Sequence, residues 1–133
     1  VTVSRAIAVA AILVVVAVVV AAFATIGSPK HARAEALDRQ RVSDLSDMAA
    51  ELHEDYGARP LPATLPQTRH DPLSGKPYEY RRFGHNRYRL CATFELPTPP
   101  EQRTGPDIGT FWYHPAGRFC YTLDAGRRVE STL

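Results

Sequence analysis

The sequence predicts an α+β protein: an N-terminal transmembrane helix, then an amphipathic helix packed on a small antiparallel sheet of three or four strands. Three observations carry this. An unbroken apolar run opens the chain, a stretch with a three-and-four periodicity follows, and alternating segments bounded by Gly- and Pro-rich turns fill the rest. Charge divides the chain at the same place. All 14 acidic residues and 15 of the 16 basic ones follow Ile26, and Arg5 is the exception. The boundaries read as 1–27 for the membrane anchor, 28–57 for the amphipathic helix and 58–133 for the loop and sheet, with 28–133 forming one globular domain. About 105 of the 133 residues lie beyond the apolar run, enough for one modest core. The formal net charge of +2 is too small to imply nucleic acid, and no nucleic-acid partner is expected.

The apolar run is Ala6–Ile26, AIAVAAILVVVAVVVAAFATI. It carries no charge, and only Thr25 is polar. As a helix it would be about 30 Å long, the thickness of a bilayer core. It is apolar on all sides, which suits lipid rather than one face of a soluble core. The competing reading is a cleaved signal peptide, with Ala22-Phe23-Ala24 as the cleavage site and Arg5 as a minimal basic n-region. The length of the run favours a retained anchor, and both readings export the rest of the chain. Against export stand Lys30, Arg33, Arg39 and Arg41, which follow the span where only Arg5 precedes it. These four are expected among lipid headgroups.

Gly27-Ser28-Pro29 breaks the chain. Ser28 is an expected N-cap, and Pro29 suits the first helical position. Pro29–Tyr56 reads as a helix whose stripe is Leu37, Val42, Leu45, Met48, Ala49, Leu52 and Tyr56. Arg39, Asp44, Asp47, Glu51 and Glu54 fill the other face, and Gly57 is the expected stop. Arg59–Gln67, with three prolines, reads as an extended loop, and Asp71–Pro77 as a turn. Tyr78–Phe83 and Arg87–Phe94 form a hairpin about Gly84-His85-Asn86. Pro97–Pro106 is another loop, Thr110–His114 an expected strand, and Arg118–Leu123 the last strand. The tail from Asp124 is expected to fray.

Strand parity makes a further prediction. Tyr88, Leu90, Ala92 and Phe94 share one face, as do Phe119, Tyr121 and Leu123. Cys91 and Cys120 fall on the opposite face of their strands. If the strands are neighbours, the apolar sets face the helix stripe and the cysteines meet outside. A disulfide between Cys91 and Cys120 is therefore expected, and with it an extracytoplasmic location. No CxxC or haem-attachment motif is present, so a redox site is not expected.

The order of features resembles the major pseudopilins of type II secretion. The residues that carry it are the Leu61-Pro62 and Leu65-Pro66 loop and the Asp71-Pro72-x-x-Gly75-x-Pro77-Tyr78-Glu79-Tyr80 stretch entering a small sheet. Tyr88-x-Leu90-Cys91-Ala92-Thr93-Phe94, the Trp112-x-His114 pair and Gly117-x-x-Cys120 are similar to the soluble tails of uncharacterised bacterial membrane proteins. The resemblance covers about residues 35–123. It implies a structural or protein-interaction role beside envelope membrane proteins. The apolar helix lacks the acidic residue of pilin-type helices, so the resemblance does not extend to filament assembly. Asp107 and Asp124 lack the spacing of a calcium loop.

Chemistry is sparsely represented. His31, His53, His70, His85 and His114 stand at no metal-ligand spacing from one another or from cysteine, so no metal and no cofactor is expected. His70-Asp71 reads as turn chemistry before an acid–base pair, and Trp112 and His114 as packing before a site. Ser74 has no nucleophile elbow, and no Gly-rich phosphate loop occurs. No catalytic residues are assigned. Glu51, Glu54 and Asp55 read as a solvated acidic helix end. Arg81, Arg82, Arg87 and Arg89, interleaved with Tyr78, Tyr80, Phe83 and Tyr88, form the candidate anion-binding surface, for an anionic ligand or a lipid bilayer. The alternative is an ordinary solvated sheet face.

Overall fold

Two helices precede three strands. A computed structural model describes residues 2–26, 28–100 and 112–128. The elements are α1 (Thr2–Ile26), α2 (Pro29–Tyr56), β1 (Glu79–Arg82), β2 (Arg87–Phe94) and β3 (Gly117–Asp124). They form an α+β chain with one sheet. It divides into two compact units, Val1–Arg33 and Ala34–Leu133.

In the first unit, α1 starts at Thr2, before the expected Ala6, and carries Arg5 within its first turns. It is long and apolar enough to cross a membrane, and none of its apolar window is buried. Among the described side chains its valines, Ile7, Ile12 and Leu13 stand exposed, from Val19 at 46% to Val3 at 71%. Such a surface is unfavourable in water and suited to lipid. Ser28 begins the next helix as expected: its hydroxyl accepts the His31 amide at 3.2 Å, and its carbonyl accepts the Ala32 amide.

In the second unit the sheet has the order β1-β2-β3, antiparallel throughout. Three strands are present among the described residues. Residues 112–114 of the expected Thr110–His114 strand are not extended into the sheet, and 110–111 lie outside the described residues. Their segment runs beside the loop after β2 instead: Thr98 donates its amide to the His114 carbonyl at 2.9 Å, and the His114 amide donates to Thr98 Oγ1. The hairpin turn is short. Phe83 donates to the Arg87 carbonyl across Gly84-His85-Asn86, and Gly84 takes φ of 76°, a conformation open to glycine at little cost.

The expected parity is found. Tyr88, Leu90, Ala92, Phe94, Tyr121 and Leu123 are all buried, and they belong to one core with Leu45, Met48, Ala49 and Leu52 of α2. Leu61, Tyr78, Trp112 and Ala125 complete it. Phe94 stacks on His114 at 3.6 Å between ring centroids, and the Tyr121 hydroxyl donates to the Trp112 carbonyl. On the other face Cys91 lies opposite Cys120 in the register, and the two are joined in a disulfide.

Directly after β3 the chain is held at Ala125, where fraying from Asp124 is expected; 129–133 lie outside the described residues. Ala125 is fully buried, its amide donates to the Asn86 carbonyl, and its carbonyl meets His53 Nδ1 at 2.7 Å. This contact also explains Gly57. A Cβ there would stand 2.6 Å from the His53 carbonyl and 3.3 Å from that of Ala125. Gly57→Ala is expected to destabilise the domain by about 1–3 kcal/mol through overpacking, read as a drop in the thermal midpoint. Cys91→Ser with Cys120→Ser should cost roughly 3–4 kcal/mol, the value for closing a loop of this length, in denaturant unfolding.

Candidate functional site

The register sorts the hairpin arginines between two faces. Arg81 pairs with Arg89, and Arg89 with Thr122; Arg87 pairs with Asp124. Alternation puts Arg81, Arg87 and Arg89 on the disulfide face, and all three side chains are exposed. Arg82 leaves the set. It faces the other way, and its Nη1 donates to the Leu61 carbonyl at 3.1 Å, beside Tyr80, whose hydroxyl donates to the Pro62 carbonyl. The arginines of the sequence motif thus separate into a three-residue patch and one loop clamp.

Phe83 organises the patch. The Arg87 guanidinium lies 5.0 Å from its ring centroid and that of Arg89 5.5 Å, both within cation–π range. No carboxylate among the described residues forms an ion pair with Arg81, Arg87 or Arg89. Asp124 is opposite Arg87, but its Oδ1 accepts the Gly126 amide at 2.9 Å. The other end of the same face is neutralised. Arg118 grips Glu79 in a fork, Nε to Oε1 at 3.0 Å and Nη2 to Oε2 at 2.6 Å, and this bond holds the Glu79 carboxyl below its usual range. The pair lies beside the disulfide, with Arg118 Nη2 3.7 Å from Cys91 Sγ.

A second charged cluster is internal. Arg41 was expected among headgroups, yet it is only 2% exposed. Its Nη1 donates to Asp38 Oδ1 at 2.8 Å and its Nε to Asp71 Oδ2 at 2.5 Å. Asp38 also accepts the amides of Glu95 and Leu96. Asp71 also accepts those of Leu73 and Ser74. The Asp-Pro-x-x-Gly-x-Pro motif is thereby a side-chain-capped turn, closed by Gly75 donating to the Asp71 carbonyl. His70 is exposed and bridges to Pro77, while the Asp71 carboxylate turns to Arg41, so the two do not form an acid–base pair. Sequence reasoning missed this cluster. The signal was present: Asp38 and Arg41 continue the stripe of Leu45, Met48 and Leu52 at three- and four-residue steps.

Trp112 and His114 are buried, and not on a strand. Glu51 meets Arg69 at 2.8 Å, with Asp47 at 3.1 Å from the same guanidinium. Glu54 and Asp55 are exposed. Among the described residues no group of three His, Cys, Asp or Glu could hold a metal ion. What fold and site define is a disulfide-closed α+β domain with a candidate membrane helix and a cationic aromatic sheet face. No protein-family model, no curated protein and no solved structure matches the chain.

The internal cluster is acid-sensitive. Burial alone would raise the Asp71 carboxyl, but the Arg41 hydrogen bond and the Ser74 and Leu73 amides outweigh it and hold it at about 2, below its ordinary 3.8. The folded state therefore resists protonation where the unfolded chain accepts it. This contribution is complete above about pH 4 and lost as pH falls through about 2. An Asp71→Asn variant should show a smaller loss of stability between these limits than the parent, measured by denaturant unfolding at each pH. Arg41→Met, which leaves buried Asp38 and half-buried Asp71 without their cation, should cost about 3–5 kcal/mol at neutral pH.

Proposed function

We propose that the chain is a single-pass membrane protein whose extracytoplasmic domain, of pseudopilin-like build, acts without catalysis by contact with partners in the cell envelope. The observation that carries this reading is the Cys91–Cys120 disulfide in a chain that begins with a membrane-length apolar helix. Disulfides persist in oxidising compartments, and an apolar span is the usual tether for a domain exported there. The amphipathic helix packed on the sheet is part of the same reading. It is supported by Leu45, Met48, Ala49 and Leu52 sharing one core with the strands. Polar groups inside the domain are used for cohesion: Arg41, Asp38, Asp71, Tyr78 and Asp44 all bond to one another or to backbone. That pattern suits a scaffold that presents its surface.

A second reading, an anionic-ligand module, is favoured by one observation, the cation–π patch without carboxylate partners. It is compatible with the first, because a tethered scaffold needs a surface to present.

Membrane-impermeant maleimide labelling of intact cells tests the compartment. Cysteine should label only after reduction, which requires an exposed domain with a closed disulfide. Labelling without reductant, and only after lysis, would put a reduced domain in the cytoplasm and overturn the reading.

A further inference from the structure

We propose that the disulfide face of the hairpin, built from Arg81, Phe83, Arg87 and Arg89, docks on the anionic phospholipid headgroups of the bilayer that α1 spans. The inference rests on the membrane-anchored reading and goes beyond it by naming what this face touches. The first argument is electrostatic. Arg81 and Arg89 are directly opposite across two strands, an arrangement that costs stability unless another charge offsets it. Neither forms an ion pair with a carboxylate among the described residues, and Asp124, opposite the neighbouring Arg87, accepts the Gly126 amide, whereas Arg118 at the other end of the face has Glu79. Cationic charge therefore collects at the hairpin end. Arg127 and Arg128 add to it, for both are exposed and the Ala125 amide ties the turn before them to Asn86.

The second argument is shape. Arg87 and Arg89 are two residues apart on one strand face, about 7 Å at the usual rise. Arg81 is the cross-strand neighbour of Arg89. All three guanidinia are exposed, so none encloses a ligand. A row of open forks on a sheet suits several phosphates on a surface better than one phosphate in solution. Phe83 fits the same occupant. It is half-buried and flanked by two guanidinia, a combination suited to the headgroup layer, where aromatic rings and arginine forks both find partners. Phosphate in solution would use the arginines but give the ring no role.

The full chain, reconstituted in lipid nanodiscs, tests this with a fluorophore on His85→Cys in the hairpin turn, quenched by a headgroup-bound quencher. Discs of phosphatidylcholine alone are compared with discs that include phosphatidylglycerol. Quenching should rise in the anionic discs and fall in high salt. It should be lost in the Arg81→Gln, Arg87→Gln, Arg89→Gln variant. At about fivefold per arginine near an anionic surface, the docked-to-undocked ratio should drop on the order of a hundredfold. Arg82→Gln, one charge fewer on the opposite face, should leave it unchanged. Mass analysis of the Cys91–Cys120 bridge in each variant confirms the fold. Equal quenching in both discs, or quenching that survives the triple substitution, overturns the proposal. Displacement by millimolar inorganic phosphate would identify a soluble anion as the ligand and also overturn it. A chain that fails to enter discs removes the anchor itself; entry without charge-dependent quenching removes only the docking.

Discussion

Arg41 is a permanent cation removed from water, and three distant segments are arranged to make that tolerable. Burying a guanidinium costs several kcal/mol unless charge and hydrogen bonds replace its hydration. Here Asp38 comes from the same helix, one turn back, and Asp71 from the turn thirty residues on. Each carboxylate then needs its own remaining lone pairs filled. Asp38 takes two amides at the end of β2, and Asp71 takes two from its own turn. The result is a bonded chain from helix to turn to strand end. It specifies where α2 meets the loop before β1, which the non-directional core of Leu45, Leu52, Leu90 and Tyr88 could not do alone.

The sheet divides its two faces between cohesion and display. One face supplies the core, with Tyr88, Leu90, Phe94 and Tyr121 buried. The other bears the disulfide, the Arg118–Glu79 fork and the arginine patch. The covalent bond joins β2 and β3 on the face opposite Tyr88, Leu90 and Tyr121. A three-stranded sheet of this size is marginal by itself. Crosslinking its two longer strands therefore adds most where the fold has least to spare.

On the proposed reading these features serve one arrangement. The domain is held at a lipid surface by α1, Arg41, Asp38 and Asp71 serve cohesion, and Arg81, Arg87 and Arg89 lie at one end of an exposed face. The like-charge pair of Arg81 and Arg89 is then a site at which local stability is given up for contact with something outside the chain.

Much of the architecture was legible from residue order. The membrane-length run, the bounds of α2, the hairpin and the pairing of Cys91 with Cys120 follow from local properties: hydropathy over 21 residues, periodicities of 3.6 and 2, and turn chemistry. The partners of particular charges were not legible. Helix periodicity sets Arg41 on the buried stripe and Arg39 off it, but only the fold brings Asp71 to Arg41. Arg82 and Arg81 are adjacent, yet one clamps the Leu61 carbonyl while the other joins the patch. Segment 112–114 reads as a strand and instead lines the core, since Trp112 and His114 pack on Tyr121 and Phe94. Local patterning determines which elements form and which face each buries, because those depend on neighbours in the chain. Which polar side chain finds a partner was decided only by tertiary structure, because that partner lies tens of residues away and no local pattern encodes its distance.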